Sequence, residues 1–238
     1  MNLILFEREE IGVVIPGYDP RAKHIRRTLR LKEGDAFQAG IVNGQLGSAK
    51  ILTQNKIELI IDFQPNKEKP TPYPVILIVG LTRPQIAKQI FRESASMGIE
   101  KLWFYPTELG EKSYLESDLW QEMNYRPQLI KGAGQGFTTN LPDVKIFKSL
   151  ANMFSKLPET YERICLDNVR PESSLSNYVI TKQKVSLLLG SERGFTDRER
   201  NRIEANAFSM VHMGERVLRT DTACIAGLTL VLSKLGKM

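Results

Sequence analysis

From residue 75 onward the chain alternates short, unbroken apolar runs with longer helical stretches, and few architectures accommodate that pattern. Val75-Ile76-Leu77-Ile78-Val79 offers no polar face, so a strand built from it must be covered on both sides. A helix over residues 83–97 follows, with Ile86, Ile90 and Phe91 on one side. Further strands are predicted at 102–105, 164–166, 185–189 and 208–213, and a long helical region at 118–132. Thr196-Asp197-Arg198-Glu199 fits a capping box that opens a helix, and a last helix is predicted over 220–235. Strands separated by helices place this part of the chain in the α/β class, with a mostly parallel sheet.

The first 70 residues are of another kind. Short alternating runs at 3–6, 36–42 and 57–63 are divided by turn signals such as Asn43-Gly44, which predicts a small β-barrel. One helical piece, 20–31, interrupts them. Between the two halves, residues 65–74 hold four prolines, which predicts a semi-rigid linker where neither helix nor central strand continues. The division expected is therefore 1–70 and 71–238.

Two of the predicted strands run into glycine-bearing loops: Leu189-Gly190-Ser191-Glu192-Arg193-Gly194-Phe195 and Met213-Gly214-Glu215-Arg216-Val217-Leu218-Arg219-Thr220-Asp221-Thr222-Ala223. Open α/β sheets bind ligands at such strand ends, and two in succession suggest one ligand held between them. Other chemistries find little support. Neither loop is a G-x-G-x-x-G, and no phosphate-binding P-loop occurs. His24 and His212 are far apart and no cysteine cluster exists, so no metal site is expected. Ser191 lies outside any G-x-S-x-G elbow. A net charge of +6 is compatible with an anionic partner. Cys165 and Cys224 lie in apolar stretches and read as buried thiols of a cytoplasmic protein. No run approaches the ~18 apolar residues of a membrane span.

The two loops together resemble the paired signatures of the RsmE-type ribosomal RNA small subunit methyltransferases, of the SPOUT superfamily. The spacing between them agrees with that family, as does the upstream segment from His24 to Asp35, which is similar to its N-terminal H-x-x-x-V-L-R-x-x-x-G-D element. Thr82-Arg83-Pro84, Glu111-Lys112-Ser113-Tyr114 and Gly134-Gln135-Gly136 with Leu141-Pro142 resemble further family elements. The chain departs from the pattern at Ser191 (proline in the family), Arg193 (glycine), Asp221 (glutamate), Gly134 (glutamate) and Phe137 (near an arginine).

The resemblance implies a SPOUT domain with a deep trefoil knot, an N-terminal PUA-like RNA-binding barrel, a homodimer, S-adenosylmethionine as methyl donor, and N3-methylation of one uridine in 16S rRNA of the small ribosomal subunit. On that footing Leu166, Leu189, Met213, Val217 and Leu218 would wall the adenine, and Gly190, Gly194 and Gly214 would let backbone approach it. Ser191, Glu192, Arg219, Thr220, Thr222 and Ala223 complete the implied cofactor set. Ordinary core packing explains the apolar members equally well. Arg219 or Arg216 could stabilise an anionic base once N3 loses its proton, or could form a salt bridge at a helix start or dimer contact. Glu192 could take that proton or bind an amide of its own loop. Arg21, Lys23, Arg26, Arg27 and Arg30 are the candidate RNA contacts, with a solvated helix face as the alternative. The last helix is apolar on more than one side, which requires a second covering surface: either its own domain or a second subunit. Two other functions remain open: an RNA-binding or ribosome-associated module that has lost catalysis, for which Ser191 and Arg193 argue, and a nucleotide-using small-molecule enzyme.

Overall fold

A computed structural model describes residues 2–238. In chain order its elements are β1 (Ile4–Phe6), β2 (Ile15–Pro16), α1 (Pro20–Lys23), β3 (Ala36–Ile41), β4 (Leu46–Gln54), β5 (Glu58–Lys67), β6 (Tyr73–Gly80), α2 (Pro84–Ser96) and β7 (Ile99–Tyr105). They continue with α3 (Arg126–Gln135), β8 (Asp143–Ile146), α4 (Leu150–Phe154), β9 (Glu162–Leu166), β10 (Ser173–Ser174), β11 (Val185–Leu189), α5 (Asp197–Ala205), β12 (Ser209–His212) and α6 (Thr220–Lys234).

The first five strands form one sheet in the order β1-β3-β4-β5-β2. It curls, helped by register shifts in β4 at Leu46/Gly47 and Ile51/Thr53, but β1 and β2 do not pair. The expected barrel is therefore a half-barrel. Its open side is plugged by Ala22 and Ile25, which sit on α1 and on the π turn His24–Thr28 that continues it.

The remaining seven strands form a wholly parallel sheet, β10-β12-β9-β11-β6-β7-β8. Alternation sorts its side chains into two cores. Val75, Leu77, Val79, Leu102, Ile164, Leu187 and Val211 face α2, α3 and α6. Ile76, Ile78, Trp103, Cys165, Leu188 and Met210 face the side of α4 and α5, with Leu150, Met153 and Ile203. Both faces are thus covered, as the unbroken apolar runs require.

The chain does not fill this sheet in sequence order. β9 is laid down one place away from β6, β11 then fills the space between them, and β12 pairs beyond β9. From there α6 returns to pack on α2, β11 and β6.

Two elements differ from the sequence expectation. Strand β5 runs through Pro65, because β2 covers β5 only at Glu58 and Leu59 and the outer side of the later residues has no hydrogen bond to lose. Pro74 likewise falls at a register irregularity at the start of β6. The helix expected over 118–132 is instead a 3-10 segment, Asp118–Met123, followed by α3, with another 3-10 segment, Lys112–Glu116, before it. Glu122 and Met123 adopt positive φ, which breaks any continuous helix there.

The two halves pack directly on each other. Ile4 and Phe6 of β1 enter the half-barrel core, whereas Leu3 and Leu5 enter the core of the large sheet. The Leu3 amide donates to the Gly134 carbonyl at 3.0 Å, and a Cβ on Gly134 would meet the Leu3 carbonyl oxygen at 2.6 Å. Glycine at 134, a departure from the family pattern, is therefore required by the seat of β1.

Candidate active site

Three strands, β9, β11 and β12, end side by side, and the loops that leave them enclose a cleft of about 320 Å³. The loop after β11 is pinned from behind. The Tyr105 hydroxyl donates to the Leu189 carbonyl at 3.1 Å, and Thr107 Oγ1 donates to Ser191 Oγ at 2.8 Å. A Cβ on Gly80 would lie 2.5 Å from the Ser191 amide nitrogen, so the loop lies against backbone there. The Gly194 amide then donates to the Ser191 carbonyl, with Gly194 at φ +69°, which closes a tight turn. The capping box is present as read from the sequence: Thr196 Oγ1 accepts from the Glu199 amide at 3.1 Å, and Glu199 Oε2 accepts from the Thr196 amide at 2.9 Å.

Most of the candidate cofactor residues meet in this cleft. Leu166, Leu189 and Met213 line its inner part, with Gly190, Ser191, Glu192 and Gly194 from one loop and Arg216, Val217, Leu218, Thr220 and Ala223 from the other. A Cβ on Gly190 would come within 3.1 Å of Gly194, so the turn excludes any larger residue without movement. Val217 (80% exposed) and Val169 (63% exposed) present apolar lips to solvent.

Three candidates lie elsewhere. Gly214 does not line the cleft and has open space about its Cβ position. It is glycine because φ is +111°, not because backbone approaches it. Thr222 is solvent-exposed on the first turn of α6. Arg219 lines a second cavity of about 560 Å³ that adjoins the cleft through Glu192, Val217, Leu218 and Thr220.

Glu192 holds a backbone amide, though not one of its own loop. Its Oε1 accepts from the Arg83 amide at 2.9 Å, which places a carboxylate at the start of α2, where the helix dipole favours negative charge. Arg216 and Arg219 project into solvent, and the only anionic neighbour of Arg219 among the described residues is Asp221, at 3.7 Å. The family departures leave the cleft open. The Ser191 side chain is buried against Thr107, and Arg193 extends outward with Glu111 at 3.8 Å.

The floor of the cleft is a buried ion pair that the sequence reading did not anticipate. Arg200 Nε and Nη2 donate to the two oxygens of Asp167 at 2.9 and 3.2 Å, and its Nη1 donates to the Phe195 carbonyl at 2.7 Å. The hydrogen bonds to Asp167 hold the Arg200 guanidinium above its ordinary pKa. Asp167 directly follows β9, so a charged residue at a third strand end was the available signal. Its partner lies 33 residues away, and no local pattern links them.

The candidate RNA residues separate into two groups. All five N–H groups of Arg21 are spent internally, on Asp19, Glu10 and the Leu5 carbonyl, so Arg21 is a structural residue of the half-barrel and has no donor left for a phosphate. Arg26 reaches the carbonyls of Asn55 and Gly17 and is partly committed. Lys23, Arg27 and Arg30 are exposed, and none forms a salt bridge among the described residues.

Comparison with known proteins gives the same result from several directions. Residues 69–232 match the model of an RNA methyltransferase domain. The ribosomal RNA small subunit methyltransferase E of Treponema pallidum is 35% identical, the match covering 98% of this chain and 91% of that protein. Ribosomal RNA small subunit methyltransferase E 1 of Borreliella burgdorferi is 34% identical over the full length of both. The fold is shared with the Neisseria gonorrhoeae ribosomal RNA small subunit methyltransferase E, a crystal structure bound to S-adenosyl methionine. That likeness has a TM-score of 0.79 and 18% identity, and covers 98% of this chain and 97% of that one. With a parallel sheet whose strand-end loops meet in one cleft, and with relatives that match along its whole length, the chain belongs to the ribosomal RNA small subunit methyltransferase E family.

Proposed function

We propose that this chain transfers a methyl group from S-adenosylmethionine to N3 of one uridine in the 16S rRNA of the small ribosomal subunit. The observation that carries this is the convergence of the two glycine loops on one apolar-lipped cleft, beside a cavity flanked by exposed arginines. The cleft suits the methyl donor. Leu166, Leu189, Met213, Val217 and Leu218 offer apolar contact to the adenine, and the turn through Gly190 and Gly194 offers backbone groups. When bound, the donor supplies an electrophilic methyl carbon. Arg219 and Arg216, unpaired or loosely paired and next to the cleft, are suited to stabilise the anion of a deprotonated uracil. Glu192 is spent on the Arg83 amide and is suited to fix the loop.

In this reading residues 1–70 bind RNA and 71–238 carry the methyltransferase chemistry. Lys23, Arg27 and Arg30 are the phosphate contacts, with Arg26 assisting. A homodimer is supported by α6 and the loop before it: Ile225 and Leu230 on the helix are only half-buried, and Val217 and Leu218 in the loop are exposed. Arg27 or Arg30 of one protomer would then reach RNA held at the cofactor site of the other. The return of α6 from beyond β9 to α2 supports the trefoil knot. Two buried thiols, Cys165 and Cys224, suit the reducing cytoplasm.

The test is calorimetry with S-adenosylmethionine, followed by methyl transfer to small subunits that lack the modification. Binding together with N3-methyluridine in the digested RNA is the expected result. Binding without transfer would favour the module that has lost catalysis, and absence of both would refute the proposal.

A further inference from the structure

The Asp221 carboxylate accepts no hydrogen bond among the described residues; a long contact to Arg219 and the start of α6 are all that favour its charge. The residue occupies the second position of α6 and is 6% exposed, and its Oδ1 is enclosed without a hydrogen-bond partner. The Arg219 Nε lies 3.7 Å from Oδ1, beyond hydrogen-bonding range, on a side chain that is 76% exposed. Buried carboxylates are normally paired or hydrogen-bonded, and one that is neither calls for a ligand or a role. Asp221 also lines the second cavity, the one that adjoins the methyl-donor cleft. The charged and titratable groups about it are Arg219 from its own loop, Arg83 from the start of α2, Glu192 from the loop after β11, and Cys224 one turn along α6. Glu192 is engaged by the Arg83 amide, and Cys224 is a buried thiol. Of the two carboxylates at this cavity, Glu192 is anchored through one oxygen to the Arg83 amide, and Asp221 is the one that accepts no hydrogen bond.

We infer that the second cavity receives the uracil ring and that Asp221 accepts the proton of its N3. This rests on the proposed function and adds the residue that makes N3 nucleophilic. The uracil edge presents an N–H donor between two carbonyl acceptors. The cavity is lined by a carboxylate for the donor and, for the oxygens, by Arg219 and by Arg83, whose Nε donates to the Tyr114 hydroxyl at 3.2 Å and whose terminal nitrogens have no partner among the described residues. Cytosine, whose N3 is a bare lone pair, meets the same carboxylate unfavourably. In the step itself the N3–H bond breaks and its proton passes to the Asp221 carboxylate. The N3 electron pair bonds to the methyl carbon, and the carbon–sulfur pair stays on sulfur, which leaves as the thioether of S-adenosylhomocysteine. The proton then passes from Asp221 to solvent. Arg219 stabilises the charge on the uracil oxygens while N3 is bare.

The experiment compares wild type, Asp221→Asn and Asp221→Glu on small subunits lacking the modification. The single-turnover rate of Asp221→Asn should fall about 10²- to 10⁴-fold. Its affinity for S-adenosylhomocysteine should stay within about threefold of wild type and its melting temperature should change little, because the charge removed accepts no hydrogen bond and its one ion pair, to Arg219, is long and exposed. Asp221→Glu should recover part of the rate. A second arm needs no turnover. With S-adenosylhomocysteine present, wild type should bind subunits carrying uridine at the methylated position about tenfold more tightly than subunits carrying cytidine there. Asp221→Asn should bind the two alike. Should Asp221→Asn fail to fold, Asp221→Ser carries the same expectations. A rate within about threefold of wild type, or undiminished preference for uridine, would overturn the inference while leaving the proposed function standing. A wild type that binds the donor but methylates a different atom brings down the functional proposal, and this inference with it.

Discussion

Replacing Arg200 by Met keeps the aliphatic stem and removes the guanidinium, which isolates the effect of the ion pair under the cleft. Four hydrogen bonds disappear: two to Asp167, one to the Phe195 carbonyl and a long one, 3.5 Å, to the exposed Asp197. Asp167 keeps only the Arg170 amide, at 3.0 Å, and its side chain is 5% exposed, so water cannot replace the missing donors. Stripping one partner from a buried pair costs about 3–5 kcal/mol. The retained amide places this case near the lower end, about 3 kcal/mol. For a chain of this length 1 kcal/mol moves the melting temperature by roughly 2–4 °C, so Arg200→Met should melt about 6–12 °C below wild type. The destabilisation should persist at about 1 M salt, which screens surface pairs but not this one. Asp167→Asn combined with Arg200→Met removes the stranded charge and should recover at least half of the shift. Circular dichroism melts of the four proteins in the cycle, each with and without S-adenosylmethionine, provide the measurement. A fall of under about 2 °C, or a double variant no better than the single one, would refute the reasoning.

Gly214→Val should weaken S-adenosylmethionine binding and cost about 1–3 kcal/mol of stability, because φ +111° is strained for a branched residue although space is open around it; an unchanged melt and unchanged calorimetry would contradict this. Arg27→Ala with Arg30→Ala should weaken binding to small subunits and flatten its dependence on log salt by ~0.9 for each phosphate left unneutralised, whereas Arg21→Ala should lower stability and leave the salt slope alone; an equal flattening by both would show that Arg21 touches RNA after all. The hydrogen bond from Arg21 holds Glu10 below the usual carboxylate range, so its contribution is complete above the unfolded value near ~4.3 and is lost as pH falls through the lower folded value. Wild type should therefore lose melting temperature more steeply than Glu10→Gln between about pH 5 and pH 2, and parallel curves would remove Glu10 from the acid response.

The sequence was most legible where periodicity and local chemistry act together. The run at Val75–Val79 announces a strand buried on both faces, and Thr196 with Glu199 announces a helix start, because both signals lie within a few residues. Clustering of the strand-end loops followed from the parallel sheet, which puts every such loop on one edge. What stayed hidden depends on residues distant in the chain. Arg21 and Arg27 are alike as members of a basic stretch, and only the fold brings Glu10 to the first and leaves the second bare. Asp167 and Arg200 have no common motif. Pro65 was misleading because its effect depends on whether a neighbouring strand exists on its outer side, and that is a property of sheet order. At Gly214 the expected close approach of backbone is replaced by a positive φ, since spacing cannot separate the two causes.

The order in which β9, β11 and β6 lie side by side also governs how the molecule can be made. As the chain leaves the ribosome, β6, β7 and β8 can pair soon after residue 146, yet β9 has no neighbour until residues 185–189 arrive to join it to β6. Until then one edge of β6, rich in Val, Ile and Leu, and both edges of β9 stay bare, and bare edges invite pairing with other chains. The pairings that finish the sheet span more than 100 residues, so collapse onto the native arrangement is intrinsically slow. Both glycine loops and α6 belong to that last stretch. A chain that stops before residue 185 therefore has neither a finished sheet nor the strand-end cleft. On the proposed function, the methyl donor can bind only once the fold is complete, so it should act on newly made protein as a folding ligand as well as a reactant.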